Sequence, residues 1–272
     1  MEATEFRAFW GVMVKSWRVF TSYKVWLVTD IAMGLFFVAQ ALLIGLGLTG
    51  ERNSPALQKL TGYSDYVTFA VLGLMVLFFG MTFLSGFVWS VVDELYAGTL
   101  ESSFAAPMRR ITFFLGNVAM RLLLTLLYLI LYLVFFKLLF GISLSPTGFL
   151  RGIPILFIGS IGMIGFGMAA TGVVIYFRDP GPFISILEML VFALSGAMYP
   201  IDILPRWLAL LAKILPYAPT TDALRTAVTH GYGTASAKIA YVAFVSLVYA
   251  LLGFLVYRWS ERQARRVGLK SY

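Results

Sequence analysis

The chain has no cysteine and one histidine, His230. Without cysteine there is no disulfide framework and no thiolate metal or redox site to organise a fold. His230 has no carboxylate cluster beside it in sequence, so neither a metal site nor a Ser–His hydrolase constellation is expected. Charge is scarce as well: Asp, Glu, Lys and Arg make up 12% of 272 residues, against about 25% in a soluble domain. That is too little to build a water-facing surface. A Gly-x-x-x-x-Gly-Lys-Ser/Thr loop is missing, so no cofactor is expected on this chain and it cannot cradle ATP phosphates by itself. The first 24 residues contain no apolar stretch ending in a small-residue cleavage site, and no secretory leader is expected. No cluster of His, Asp, Glu or Lys suggests a membrane-embedded enzyme. No internal repeat of the kind common in secondary transporters is visible.

What is present is apolar and gathered into runs. Hydrophobic residues are 60% of the chain and the mean hydropathy is +0.87. Long uninterrupted runs argue for lipid-facing helices rather than one large soluble core. The expected fold is all-α and membrane-embedded, a single transmembrane domain over residues 1–272. Residues 5–23 place Phe6, Phe9, Trp10, Met13, Trp17 and Phe20 at helical spacing among Arg7, Lys15 and Arg18, the pattern of an amphipathic interfacial helix. Six spans are expected at about 25–48, 66–92, 111–140, 153–177, 182–198 and 237–257. The fourth carries Gly159, Gly162, Gly165, Ala169 and Gly172 on one face, a stripe suited to close helix packing. The fifth has 17 residues, which rise only about 25 Å and barely cross. Beyond it, Pro200, Pro205, Pro216 and Pro219 punctuate two short helical pieces that read as dipping into the outer leaflet.

Lys and Arg gather beside both termini and at Arg109, Arg110 and Arg178, so both termini are expected on the cytoplasmic side. The net charge of +8 is accounted for by this bias and by anionic lipid, and no nucleic-acid partner is expected. Charges inside spans are costly and often functional. Asp30, Arg121 and Glu188 are the three that stand out, Glu188 lying deepest. Glu188 reads equally as a helix lock, paired with Arg121 or protonated, and as part of a substrate path. Phe192, Tyr199 and Tyr217 are candidates to line an exit gate, with Pro200 and Pro205 shaping it.

Between the second and third spans lies the charged segment 93–110. Its composition by itself favours a solvated loop over a docking element. Glu94, then Gly98-Thr99-Leu100-Glu101, with Pro107 nine positions and Arg110 twelve positions after the glycine, resembles the corresponding segment of ABC-2 type permeases. Ser195-Gly196-Ala197-Met198-Tyr199-Pro200, Leu204-Pro205-Arg206-Trp207-Leu208, Leu215-Pro216 and Asp222-Ala223-Leu224-Arg225 are similar to that family's stretch after span five. Arg178-Asp179 and the tail from Glu261 to Gly268 match in order as well.

The resemblance implies an N-terminal interfacial helix, six spans, a cytoplasmic coupling helix at 94–110 and re-entrant helices after span five. It also implies two copies of a separate ABC ATPase, which carry ATP and Mg, a second permease copy or a paralogue, and membrane lipids as surroundings. The setting it implies is the cell membrane of a prokaryote. As an exporter subunit the chain would transport rather than catalyse. Spans rich in Leu, Phe and Val lean towards an amphipathic or lipid-like substrate, a drug or a lipid. A lipid-linked polysaccharide is the alternative within the family. A proton-coupled secondary transporter using Glu188 is the alternative outside it.

Overall fold

Lipid offers no hydrogen-bond partners, so an apolar run must pair its own backbone, and a helix does so within the segment. The computed structural model, which describes residues 2–50, 52–96, 98, 110–141, 146–174 and 181–267, follows this rule. It is about 90% helical, with no strand among the described residues. In chain order the helices are α1 (Glu2–Ser22), α2 (Lys24–Thr49), α3 (Pro55–Thr61), α4 (Tyr66–Tyr96), α5 (Arg110–Phe140), α6 (Pro146–Val174), α7 (Gly181–Leu194), α8 (Arg206–Ile214), α9 (Tyr217–His230) and α10 (Tyr232–Val267). One 3-10 turn, Ile201–Ile203, precedes α8.

Among the described residues four helices are long and apolar enough to cross a membrane: Tyr66–Ser90 of α4, Leu115–Phe140 of α5, Thr147–Val174 of α6 and Tyr232–Ser260 of α10. Two shorter apolar stretches, Ile31–Gly47 of α2 and Gly181–Leu194 of α7, occupy the places of the first and fifth expected spans. Helix α7 stops at Leu194, four residues before the expected end at 198, for a local reason. Ser195 Oγ donates to Phe192 O at 2.8 Å and accepts from the Ala197 N–H at 3.1 Å, while Gly196 turns to φ 64°. A side chain competing for helix backbone groups, followed by a left-handed glycine, is an ordinary helix stop.

Helix α4 is the centre of the packing. Within its most apolar window 83% of residues are buried. Helices α6 and α10 pack on each other more extensively than any other pair, and the glycine stripe explains how. A Cβ on Gly165 would sit 2.2 Å from Tyr249 O, and one on Gly253 would sit 2.1 Å from Gly165 O, so the two backbones touch. Along the same stripe, Gly162 and Gly172 meet Ser246 and Ser260 of α10, and Gly159 meets Thr220 of α9.

Helix α5 lies on the other side of α4, joined by a Thr82–Thr125 hydroxyl pair at 2.6 Å. Amphipathic α1 in turn packs on α5. Its Val12 meets Gly116, Ser16 Oγ donates to Asn117 at 2.8 Å, and Thr112 donates to Glu5 at 2.5 Å. Phe6, Trp10 and Trp17 stay exposed along α1, as an interfacial helix requires.

The two ends of the bundle differ. At the end where α4 begins, Arg52 pairs with Asp65 at 3.0 Å and donates to Phe140 O at 2.5 Å. Asp65 also accepts from the Val67 N–H and from Thr68, capping the start of α4. Burial alone would raise the Asp65 carboxyl, but the hydrogen bonds from Arg52 and Thr68 outweigh it and hold the group below the usual carboxylate range. At the far end of α4, 31 residues or roughly 45 Å away, the chain enters segment 93–110.

Candidate functional site

Segment 94–110 joins the end of α4 to the start of α5. Glu94 sits in the last turn of α4 and Arg110 is the first residue of α5, though the side chains of both lie outside the described residues. Gly98 is an exposed turn residue at φ 66°. Thr99, Leu100, Glu101 and Pro107 fall outside the described residues, as do Arg178 and Asp179. Two residues past Arg110, Thr112 of α5 donates to Glu5 of α1.

In the middle of the bundle, Glu188 of α7 accepts from Ser85 Oγ of α4 at 2.7 Å. One residue on, Gly86 lies beside Arg121 of α5, whose Cδ would be at ordinary contact distance, 3.5 Å, from a Cβ there. Adjacent residues of α4 thus lie beside the side chains of two of the three intramembrane charged residues that the sequence singles out. The third, Asp30, is in α2, with its side chain outside the described residues. Phe192 packs edge-on against Phe37 at 5.5 Å, Phe37 against Phe78 at 5.9 Å, and Phe78 lies 6.3 Å from Tyr132. This aromatic chain joins α7, α2, α4 and α5.

The remaining gate candidates separate. Tyr199 donates to Ala193 O and so clips the turn after α7 to its own helix. Pro200 precedes the 3-10 turn and Pro205 is the exposed residue before α8. Tyr217 belongs to the core: it is fully buried, its hydroxyl 3.4 Å from Gly80 O and its ring edge-on to Phe166 at 5.9 Å. Helix α9 runs from this depth to His230, which comes within reach of Gly62, the residue that caps α3.

A charged side chain with four described hydrogen bonds is one that sequence reasoning did not single out as a site residue. Arg225 of α9 is 6% exposed. Its Nε and one Nη donate to Phe69 O at 3.0 and 2.8 Å, and the fork continues to Gly196 O at 2.8 Å and Ala197 O at 2.6 Å. The guanidinium also lies over the Phe69 ring, 3.4 Å from its centre. Gly73 makes the approach possible, because a Cβ there would fall 2.2 Å from both Ala197 O and the Arg225 Nη2. Tyr63 donates to the Arg225 carbonyl, and burial pushes its phenol up, so it remains a neutral donor. The signal for Arg225 is its charge among small residues, Ala223, Thr226 and Ala227, in a segment between prolines and a span.

Arg225 forms part of the wall of a cavity of about 660 Å³, shared with Tyr63, Asp202, Lys213, Asp222 and Lys238. This cavity and segment 94–110 lie at opposite ends of α4. Among the described residues no group of His, Asp and Glu is arranged to hold a metal.

The ABC-2 type transporter family matches this sequence over residues 7–229. The match runs from the first turns of α1 to the last turn of α9, taking in the α4–α5 connection, Glu188 and the Arg225 fork. No curated protein matches the chain.

Proposed function

We infer that this chain, which belongs to the ABC-2 type transporter family and is an ABC transporter permease, forms half of the membrane pathway of an exporter for amphipathic or lipid-like substrates. The observation that carries the reading is the extent of the family match, 7–229, across both halves of the chain. Energy comes from two copies of a separate ATPase that hold ATP and Mg, and the other half of the pathway is a second permease copy or a related chain. Both termini and segment 94–110 face the cytoplasm of a prokaryotic cell.

In this mechanism the ATPases close on ATP and press on segment 94–110. The bonds of α1 to Thr112 and Asn117 make α1 and α5 one lever. The Thr82–Thr125 pair passes the movement to α4, and Ser85 passes it to Glu188 and α7. Such a shift requires the ATPases to bind the two permease conformations with different affinity. The short α7 and the turn after it form the moving gate, and α8 and α9 dip into the outer leaflet around it. An apolar bundle with an aromatic chain at Phe37, Phe78, Phe192 and Tyr132 supports an amphipathic cargo over a long glycan.

The test is reconstitution with each ABC ATPase subunit of the source genome, measuring hydrolysis and export against a panel of lipids, drugs and lipid-linked glycans. A stable complex with lipid- or drug-stimulated hydrolysis is expected, and failure to form a complex would overturn the reading. Glu101→Lys is expected to uncouple hydrolysis from export. Full export by that variant would remove Glu101 from the docking surface.

A further inference from the structure

The outer cavity has a charge imbalance that its own residues do not resolve. Its lining includes three cations, Lys213, Arg225 and Lys238, and two carboxylates, Asp202 and Asp222, with His230 counted neutral. Lys238 pairs with Asp222 at 2.8 Å, and Lys213 reaches Asp202 only loosely at 3.6 Å. Arg225 is left over. Among the described residues its hydrogen bonds go to carbonyl oxygens alone, and no carboxylate lies at ion-pair distance. A guanidinium does not shed its proton in a protein. Carbonyl dipoles and an aromatic face solvate its charge without cancelling it, so the cavity carries a net positive charge.

The surroundings indicate where an anion would come from. Helix α8 supplies one wall: Lys213 lines the cavity and Ala212 is fully buried, while Trp207, Leu210, Leu211 and Ile214 on the other side are exposed. Tyr241 of α10 donates to Lys213 O at 3.1 Å, fixing α8 against α10 beside the cavity. Three residues further along α10, Phe244 is 63% exposed. The charged lining is thus flanked by two apolar helix faces. A free inorganic anion gains nothing from such faces, whereas acyl chains do.

We propose that this cavity binds the phosphate-bearing headgroup of an anionic lipid, with Lys213, Lys238 and Arg225 facing the phosphate and the acyl chains running along the exposed faces of α8 and α10. Its volume of about 660 Å³ lies within the usual range of ligand sites, about 300–1,000 Å³. The site needs neither ATP nor an ATPase, so it stands or falls separately from the transport reading. It also lies at the far end of α4 from segment 94–110, which separates it from the basic interfacial helix α1.

The absence of native cysteine allows a clean test. Thr234, exposed and on the cavity lining, is replaced by cysteine and carries a single trifluoromethyl label in the otherwise intact chain, held in phosphatidylcholine nanodiscs. Titration with short-chain phosphatidylglycerol is expected to shift the fluorine resonance saturably, and short-chain phosphatidylcholine is not. The exposed pair Lys213→Gln with Lys238→Gln is expected to weaken the phosphatidylglycerol effect about tenfold, while Lys59→Gln on neighbouring α3 leaves it unchanged. Equal shifts from both lipids, or an unaltered titration in the double variant, would overturn the proposal. So would an equal loss in Lys59→Gln, which would mean general surface charge. Inorganic phosphate acting at the same concentration as phosphatidylglycerol would overturn the lipid assignment in favour of a free-anion site.

Discussion

Helices α4 and α5 have the same length, 31 residues each, and nearly the same apolar character, with mean hydropathy 2.4 and 2.5 across their membrane-length stretches. Yet 83% of the apolar window of α4 is buried against 17% for α5. Hydropathy records that a helix leaves water, but not whether it then meets lipid or protein, because lipid tails are as apolar as leucine. The difference lies in small and hydroxyl residues. Helix α4 has Gly73, Gly80, Thr82, Ser85 and Gly86 where other helices approach. Beyond Thr125, α5 instead turns Leu126, Leu127, Ile130, Leu131, Val134 and Leu138 outward.

The contrast can be broken first at Arg225, which grips the start of α4. Arg225→Met leaves the carbonyls of Phe69, Gly196 and Ala197 without their donor. Since hydrogen bonds to charged groups contribute about 1.5–3 kcal/mol each, a loss above about 3 kcal/mol is expected in thermal unfolding of the detergent-solubilised protein. Arg225→Lys keeps the charge but not the planar fork and should fall between. Wild-type stability in the methionine variant would show that the fork is ornamental.

A matched pair of truncations probes the contrast directly. Leu77→Ala in α4, at a site 2% exposed, is expected to cost about 2 kcal/mol or more. Leu131→Ala in α5, 42% exposed, should stay within about 0.5 kcal/mol. Equal losses would mean that another chain covers α5.

A smaller effect is expected at the cap of α4. The Asp65 carboxyl is held below its ordinary value, so its contribution is fully present above the unfolded-state value of about 3.9 and fades as pH falls through the folded value. Asp65→Asn should therefore flatten the acid limb of the stability–pH curve without moving the neutral region's slope. An unchanged acid limb would assign that limb to other carboxylates. The smallest effect on stability is expected for Glu188→Gln, which keeps an acceptor for Ser85 and should remain within about 0.5 kcal/mol of wild type. Its export rate is expected to change. Lost folding would instead make Glu188 a lock between α4 and α7.

Much of the architecture was legible because it is local. The amphipathic period of α1, the glycine stripe of α6 and the shortness of α7 are properties of consecutive residues, and the helices follow them. The interior was less legible. Tyr217 stands out in the sequence as a gate candidate, but its burial against Gly80 and Phe166 could not be read there, because neither is near in sequence. Arg225 depends still more on distant partners: its burial is decided by carbonyls at 69, 196 and 197, which carry no side-chain signature. Glu188 and Arg121 were visible as isolated charges in apolar runs, whereas their meeting points at Ser85 and Gly86 follow from how the helices pack.

The Arg225 fork also orders events during synthesis. Its bonds to the Phe69 carbonyl close a loop of 156 residues. At about 5–20 residues per second this places the two partners roughly 8–30 s apart in emerging from the ribosome. Through that interval the start of α4 is inserted but unfastened, whereas the turn after α7, only 29 residues ahead of Arg225, waits for just the last part of it. Closure of this end of the permease is therefore a late step of its biogenesis.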